Sequence, residues 1–202
     1  MKRVDLVYIL AGGQSTRFGK NKALVSILGE PLIVRLASQL ASQDLRVMLV
    51  AQRTSDYREF ALPVIEDGEL NCGPLQGMLA ALRDCKLRGE SWCFVSSCDI
   101  LDWHPVWKSI LVHATEKDPE LDAVILSGSN DVPGTFRPLP GLYRSSLWRD
   151  VEEIRNAGSS SLREFHKRID SRIGSCPVEP DLLPKCFNTP SELENLLKIT
   201  SK

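Results

Sequence analysis

A chain of 202 residues is long enough for one domain that buries more than about two-thirds of its unfolded surface, and short for two independent cores. Its 25 basic and 26 acidic residues nearly cancel, to a formal charge of −1, and neither sign forms a long block. Composition therefore leaves no electrostatic footprint for nucleic acid or an anionic membrane, and any anionic ligand has to be held locally.

The first apolar run, Val4 to Ala11, is broken by Asp5 and followed by Gly12-Gly13, which suits a strand rather than a signal peptide. No apolar stretch approaches the roughly 20 residues that span a bilayer, so a cytoplasmic protein is expected. Further short apolar runs follow at Arg46 to Val50, Trp92 to Ser96 and Ala123 to Leu126. Near-continuous hydrophobicity over such lengths suits strands covered on both faces, hence a mostly parallel sheet.

Between these runs lie segments of helical period that open with proline. Pro31 to Ala41 carries Leu32, Leu36 and Leu40, and Pro74 to Leu87 carries Leu75, Leu79 and Leu82. Proline suits a first helical position because its missing N–H has no partner there in any case. Alternating strands and helices predict a three-layer α/β/α sandwich, with residues 1–202 forming one domain.

After about residue 128 the pattern loosens. Gly128 to Gly134 reads as a loop, Phe136 to Tyr143 as an extended edge or antiparallel segment, and Ser145 to Ala157 and Ser160 to Ile169 as helices. The final helix is better marked. Thr189-Pro190-Ser191-Glu192 supplies a threonine N-cap, proline at N1 and glutamate at N3, a capping box ahead of Leu193, Leu196 and Leu197.

Six cysteines, at 72, 85, 93, 98, 176 and 186, include no Cys-x-x-Cys pair and no histidine at zinc-finger spacing, so reduced thiols are expected. Cys85, Cys93 and Cys98 sit in or beside apolar runs, as small hydrophobes do. His104, His113 and His166 fit no ligand spacing and are expected on the surface or in helices.

The most informative stretch is Leu10-Ala11-Gly12-Gly13-Gln14-Ser15-Thr16-Arg17-Phe18-Gly19-Lys20-Asn21-Lys22. It follows a buried strand, so it lies at the carboxyl edge of the sheet, where open α/β folds bind ligands. Paired glycines let backbone N–H groups approach phosphate oxygens, and Arg17, Lys20 and Lys22 bring positive charge to the same loop. A P-loop is excluded because six positions separate Gly13 from Gly19 and Asn21 follows Lys20; a Rossmann fingerprint is excluded because Gly12 and Gly13 are adjacent.

Taken together, Leu-Ala-Gly-Gly, Arg17, Phe18-Gly19 and Lys22 resemble the signature loop of sugar-phosphate and cofactor nucleotidyltransferases, where it wraps a triphosphate. Further segments narrow the resemblance to the molybdenum cofactor guanylyltransferases. Asp67 followed by Cys72-Gly73-Pro74-Leu75-Gln76-Gly77 resembles their element near base and ribose, and Cys98-Asp99 resembles their metal site. Pro138 to Tyr143 resembles the segment before their late helix, and Phe187-Asn188-Thr189-Pro190-Ser191-Glu192-Leu193 resembles their closing motif. The likeness spans nearly the whole chain.

That resemblance implies a Rossmann-like, GT-A-like fold and an enzyme that moves GMP from GTP to Mo-molybdopterin with Mg²⁺. It implies catalytic roles for Lys22, Arg17 and Asp99, with Asp99 holding the metal. Leu10, Ala11, Gly12, Gly13, Lys22, Gln52, Asp67, Gly77 and Asp99 are the implied nucleotide contacts. Transient contacts with proteins of cofactor biosynthesis or delivery to molybdoenzymes are a further expectation.

Each assignment has a plainer rival. Asp99 can cap a helix near His104 or close a local turn, Asp67-Gly68 can be a turn pair, and Asn188 can shape the start of the last helix. The chain also departs from the family pattern. Asn21 stands where aspartate is usual and Gln52 where asparagine is; Cys186 replaces an asparagine, no proline follows Asp99, and Gly158 to Ser161 lacks an arginine. A sibling that uses CTP, and a nucleotide-binding partner without turnover, are the alternative functions.

Overall fold

The computed structural model describes residues 4–12, 18–19, 21–68, 73–132 and 135–200. Nine strands and six α-helices succeed one another along them. The strands are β1 (Leu6–Leu10), β2 (Ser26–Ile27), β3 (Glu30–Pro31), β4 (Arg46–Ala51), β5 (Val64–Glu66), β6 (Trp92–Ser97), β7 (Ala123–Gly128), β8 (Gly141–Arg144) and β9 (Ile173–Val178). The helices are α1 (Leu32–Ala41), α2 (Pro74–Leu87), α3 (Val106–Lys117), α4 (Trp148–Asn156), α5 (Leu162–Arg168) and α6 (Pro190–Thr200). β2 and β3 form a small separate hairpin.

The main sheet has seven strands in the order β5-β4-β1-β6-β8-β7-β9, and β8 alone runs antiparallel to its neighbours. Alternate residues of each strand feed two cores. Val7, Ile9, Leu49, Phe94 and Val124 pack beneath α1, α3 and α6, while Leu6, Tyr8, Leu10, Val50 and Val95 pack beneath α2, α4 and α5. Each fully buried aliphatic or Phe side chain contributes roughly 1.5–3 kcal/mol of transfer free energy, so the three layers hold together chiefly by apolar burial. The fold is the expected α/β/α sandwich with a mostly parallel, Rossmann-like sheet.

Of the 136–143 segment only 141–143 is strand; it opens β8, which is antiparallel and lies in the sheet interior, not at its edge. Leu142 enters one core and Tyr143 the other, so a strand of only four residues is apolar on both faces and takes a place between β6 and β7. The Tyr143 hydroxyl donates to the Pro138 carbonyl and lies 3.0 Å from His166 Nε2. His166 is therefore helical but buried, and burial lowers its pKa to about 4.

Pro74 occupies the first turn of α2 as its ring geometry favours, whereas Pro31 stands one residue before α1, at the N-cap. At α6 the Glu192 N–H donates to Thr189 Oγ1 at 3.2 Å, as a capping box requires. The returning bond differs: the Glu192 carboxylate accepts from the Asn188 N–H at 2.5 Å. The cap thus holds Asn188 as well as the helix. The five described cysteines, at 85, 93, 98, 176 and 186, are free thiols.

Candidate active site

From β1 the chain passes to β4 and β5 on one side, then crosses through α2 to β6 on the other, which puts the topological switch point between β1 and β6. Open α/β sheets bind ligands beyond the carboxyl ends of strands at such a point. Ala11 and Gly12 leave β1 here, and Cys98 and Asp99 leave β6. The two ends are tied together, since the Cys98 N–H donates to the Leu10 carbonyl at 3.2 Å and the Ala11 N–H to Val50 at 2.8 Å.

Gly13 and Arg17 lie outside the described residues, as do Lys20 and Cys72. Both flanks of the glycine loop are anchored. Phe18 is buried with its ring 5.8 Å from that of Phe187. On the other flank the Tyr57 hydroxyl donates to the Ala11 carbonyl at 3.1 Å and accepts from Asn21 Nδ2 at 3.0 Å, while Asn21 Oδ1 accepts from the Ala23 N–H. Asn21 is thus a turn cap. Tyr57 carries no sequence signal, being one of two aromatics in the polar stretch 54–60. Burial, opposed by the Asn21 hydrogen bond, pushes its pKa up to about 12.

One end of the edge gathers Lys22, Asp99 and Asn188. Lys22 Nζ donates to Asn188 Oδ1 at 2.8 Å and to the Phe187 carbonyl at 3.2 Å, and lies 3.8 Å from Asp99 Oδ2. The Lys22 side chain is 11% exposed and that of Asp99 26%. The closing segment reaches this position by pairing with the turn after β6: Phe187 N–H donates to the Asp99 carbonyl, Leu101 N–H to Lys185, and Ile100 bridges Cys186.

Asp99 does not cap α3, whose N-cap is Pro105 with no side-chain hydrogen bond. Its Oδ1 accepts from the Ser97 hydroxyl at 2.5 Å. Ser97 was not singled out by the sequence, although a hydroxyl two residues before a strand-end carboxylate is a legible hint. The Cys98 thiol is pushed up to about 12, by burial first and then by Asp99, and is an inert neighbour rather than a nucleophile.

The other end gathers Gly12, Gln52, Asp67 and Gln76. A Cβ on Gly12 would stand 2.8 Å from Asp67 Oδ2 and 3.8 Å from the Gln52 side chain, so glycine alone permits this approach. Gln76 Nε2 donates to the Asp67 carbonyl. Asp67 is buried, and among the described residues its Oδ1 and Gln76 Oε1 have no hydrogen-bond partner. Burial, with Glu66 second, raises the Asp67 pKa above the ordinary carboxylate range. Leu10 and Gly77 pack on each other: a Cβ on Gly77 would stand 3.3 Å from Leu10, so this glycine lets α2 lie close on β1.

A polar edge of this kind, at a switch point and fed by a glycine turn, defines an α/β protein of the nucleotide-handling class. A family model described as the MobA-like NTP transferase domain matches residues 7–172. The chain belongs to that family.

Its relatives agree over nearly full length. It is 30% identical over 200 residues to the probable molybdenum cofactor guanylyltransferase of Carboxydothermus hydrogenoformans, covering 96% of each chain. It is 31% identical over 192 residues to the molybdenum cofactor guanylyltransferase of Vibrio atlanticus, covering 92% of this chain and 91% of the relative. The crystal structure of molybdopterin-guanine dinucleotide biosynthesis protein A from Archaeoglobus fulgidus superposes with a TM-score of 0.78 at 21% identity, covering 97% of this chain and 98% of the other. Among the described residues no helix is long and apolar enough to cross a membrane.

Proposed function

We propose that this chain is a molybdenum cofactor guanylyltransferase of the cytoplasm, one nucleotidyltransferase domain over residues 1–202. It transfers GMP from GTP to the terminal phosphate of Mo-molybdopterin and releases pyrophosphate. The observation that carries this reading is the convergence of three motifs distant in sequence, at Lys22, Asp99 and Asn188, within 4 Å of Lys22 Nζ at the switch point.

In the reaction an oxygen of the acceptor phosphate attacks the α-phosphorus of GTP. A new P–O–P linkage forms, and the α–β bond breaks with its electron pair leaving on pyrophosphate. The attacking monoester is already largely ionised at neutral pH, so no covalent nucleophile or general base is needed. The protein has to align three anionic groups and spread their charge. Lys22 stabilises charge on the triphosphate, with its ammonium aimed by Asn188 and the Phe187 carbonyl, and Arg17 assists the leaving pyrophosphate. Ala11, Gly12 and Gly13 contribute the backbone that wraps the phosphates.

A strand-end carboxylate fits Mg²⁺, which takes one or two carboxylates and draws remaining ligands from phosphates and water. Among the described residues no group of three or more His, Cys, Asp or Glu is placed to hold a metal by itself. Asp99 would hold the ion, and when bound it supplies charge neutralisation on the triphosphate. Delivery of the product to molybdoenzymes would proceed through transient protein contacts.

Asp67 and Gln52 read the base and ribose. The buried Asp67 carboxylate accepts from ligand donors, and Gln52 both donates and accepts. A raised carboxyl pKa favours the protonated form in the folded state, so that contribution to stability is full below the unfolded value near 4 and is lost as pH rises through the folded value. Asp67→Asn therefore melts higher than the native protein at pH 7, and the gain shrinks as pH falls through the raised folded value and is gone below about pH 4. The same variant binds nucleotide roughly 10- to 100-fold more weakly, the size of a lost charged hydrogen bond. Unchanged melting and unchanged affinity together would reduce Asp67 to a turn residue.

Calorimetry of the purified protein with GTP, CTP, ATP and UTP, each with Mg²⁺ at fixed salt, tests the function. Selective, Mg²⁺-dependent GTP binding is expected. A CTP preference would favour the sibling enzyme. GTP binding with no pyrophosphate released in the presence of Mo-molybdopterin would favour a partner without turnover.

A further inference from the structure

We infer that Tyr57 is a positioning residue for triphosphate binding: its one hydroxyl joins Ala11 to Asn21, and so aims the Gly12 N–H and fixes Lys22 relative to it. The inference rests on the function proposed above and adds to it a residue that itself touches no substrate.

Ala11 is held at both of its backbone polar groups. Its N–H donates to the Val50 carbonyl at 2.8 Å, and its carbonyl accepts from the Tyr57 hydroxyl at 3.1 Å. The Ala11 carbonyl and the Gly12 N–H belong to one planar trans peptide, in which they point opposite ways. Tyr57 therefore turns the Gly12 N–H away from itself and keeps it there. The tie matters at this position because glycine is the residue whose backbone turns most freely, and no other fits: a Cβ on Gly12 would stand 2.8 Å from Asp67 Oδ2.

The same hydroxyl reaches the other flank. Its oxygen accepts from Asn21 Nδ2 at 3.0 Å, and Asn21 Oδ1 accepts from the Ala23 N–H at 3.1 Å, which caps the 3-10 turn Lys22–Leu24. The bonds run one way, from the Ala23 N–H through the Asn21 amide and the Tyr57 hydroxyl to the Ala11 carbonyl. A carboxylate at position 21 would offer acceptors alone and compete with Ala11 for the single phenolic proton, whereas the amide supplies a donor and an acceptor at once. Tyr57 is buried on the short 3-10 helix Thr54–Phe60 that follows β4, so the relay is anchored to the sheet and shielded from water. It ends beside Lys22, whose ammonium is aimed by Asn188. One hydroxyl thus sets the Gly12 N–H and the Lys22 turn in one frame, in a reaction that asks the protein chiefly for alignment.

Tyr57→Phe removes one oxygen from a buried ring and keeps its volume. In the ligand-free full chain, NMR order parameters of the Gly12 and Lys22 amides should fall in the variant, measured well below its melting temperature. GTP with Mg²⁺ should bind roughly 3- to 10-fold more weakly, the net worth of one neutral hydrogen bond, while guanosine, which carries no phosphate, binds within about twofold of native. A tyrosine that served the core alone would lower stability and leave the ratio of the two affinities unmoved. Asn21→Ala should weaken GTP binding by a similar factor, and the double variant no more than either single one, because both break the same relay. Unchanged order parameters, equal losses for GTP and guanosine, or losses that add in the double variant overturn the inference. Absence of GTP binding by the native protein would instead overturn the proposed function, and the order parameters, which need no ligand, still read the relay.

Discussion

Lys22→Met lowers kcat by about 10²–10³-fold or more, the range seen when one preorganised donor is removed from a developing anion. It also lowers the melting temperature. The ammonium that should serve the triphosphate also ties the closing segment to the glycine loop, through Asn188 Oδ1 at 2.8 Å and the Phe187 carbonyl at 3.2 Å. Methionine keeps the apolar stem but strands both acceptors, at a cost of about 1–3 kcal/mol. Asn188→Ala separates the two roles. It removes part of the tie and keeps the charge, so it should lose stability with a smaller loss of turnover. Thermal melts by circular dichroism and steady-state rates on all three proteins decide the matter, and native turnover in Lys22→Met would leave the lysine a purely structural tie.

Asp99→Asn has the opposite balance. The amide oxygen can still accept from the Ser97 hydroxyl, and the ion pair to Lys22 is long, at 3.8 Å, with Asp99 partly solvated. Such pairs are worth about 1 kcal/mol or less, so the melting temperature changes little. Turnover should nevertheless fall about 10²-fold or more, because a neutral amide is a poor ligand for a hard dication. Calorimetry with and without EDTA gives a second reading: Mg²⁺ should no longer strengthen nucleotide binding to the variant. Retained Mg²⁺ enhancement together with retained turnover would remove Asp99 from the site.

Much of the site was legible because it sits at strand ends. The run Val4 to Leu10 announces a buried strand, so the glycines after it lie at a sheet edge whatever the rest of the chain does. The same logic located Cys98-Asp99 after Trp92 to Ser96. Tyr57 escaped because nothing in its local sequence distinguishes a hydroxyl that meets the site from one that meets water. Tyr57 reaches Ala11 across 46 positions, and only the packed fold brings them within 3.1 Å. That Gly77 also lets a helix lie close on a strand is seen only from its distance to Leu10.

The order of the strands was beyond any local reading. The hydrophobic runs at β6 and β7 state that each is buried, but not that the four residues of β8 insert between them. That outcome depends on Leu142 and Tyr143 filling opposite cores at once. Short-range periodicity, glycine turns and helix caps act over a few residues, so the sequence alone determined the α/β class, the phosphate-loop edge and the capped last helix. The pairing of Lys22 with Asn188 and the burial of Asp67 are sums of contacts between distant segments, and such sums exist only once the chain has closed on itself.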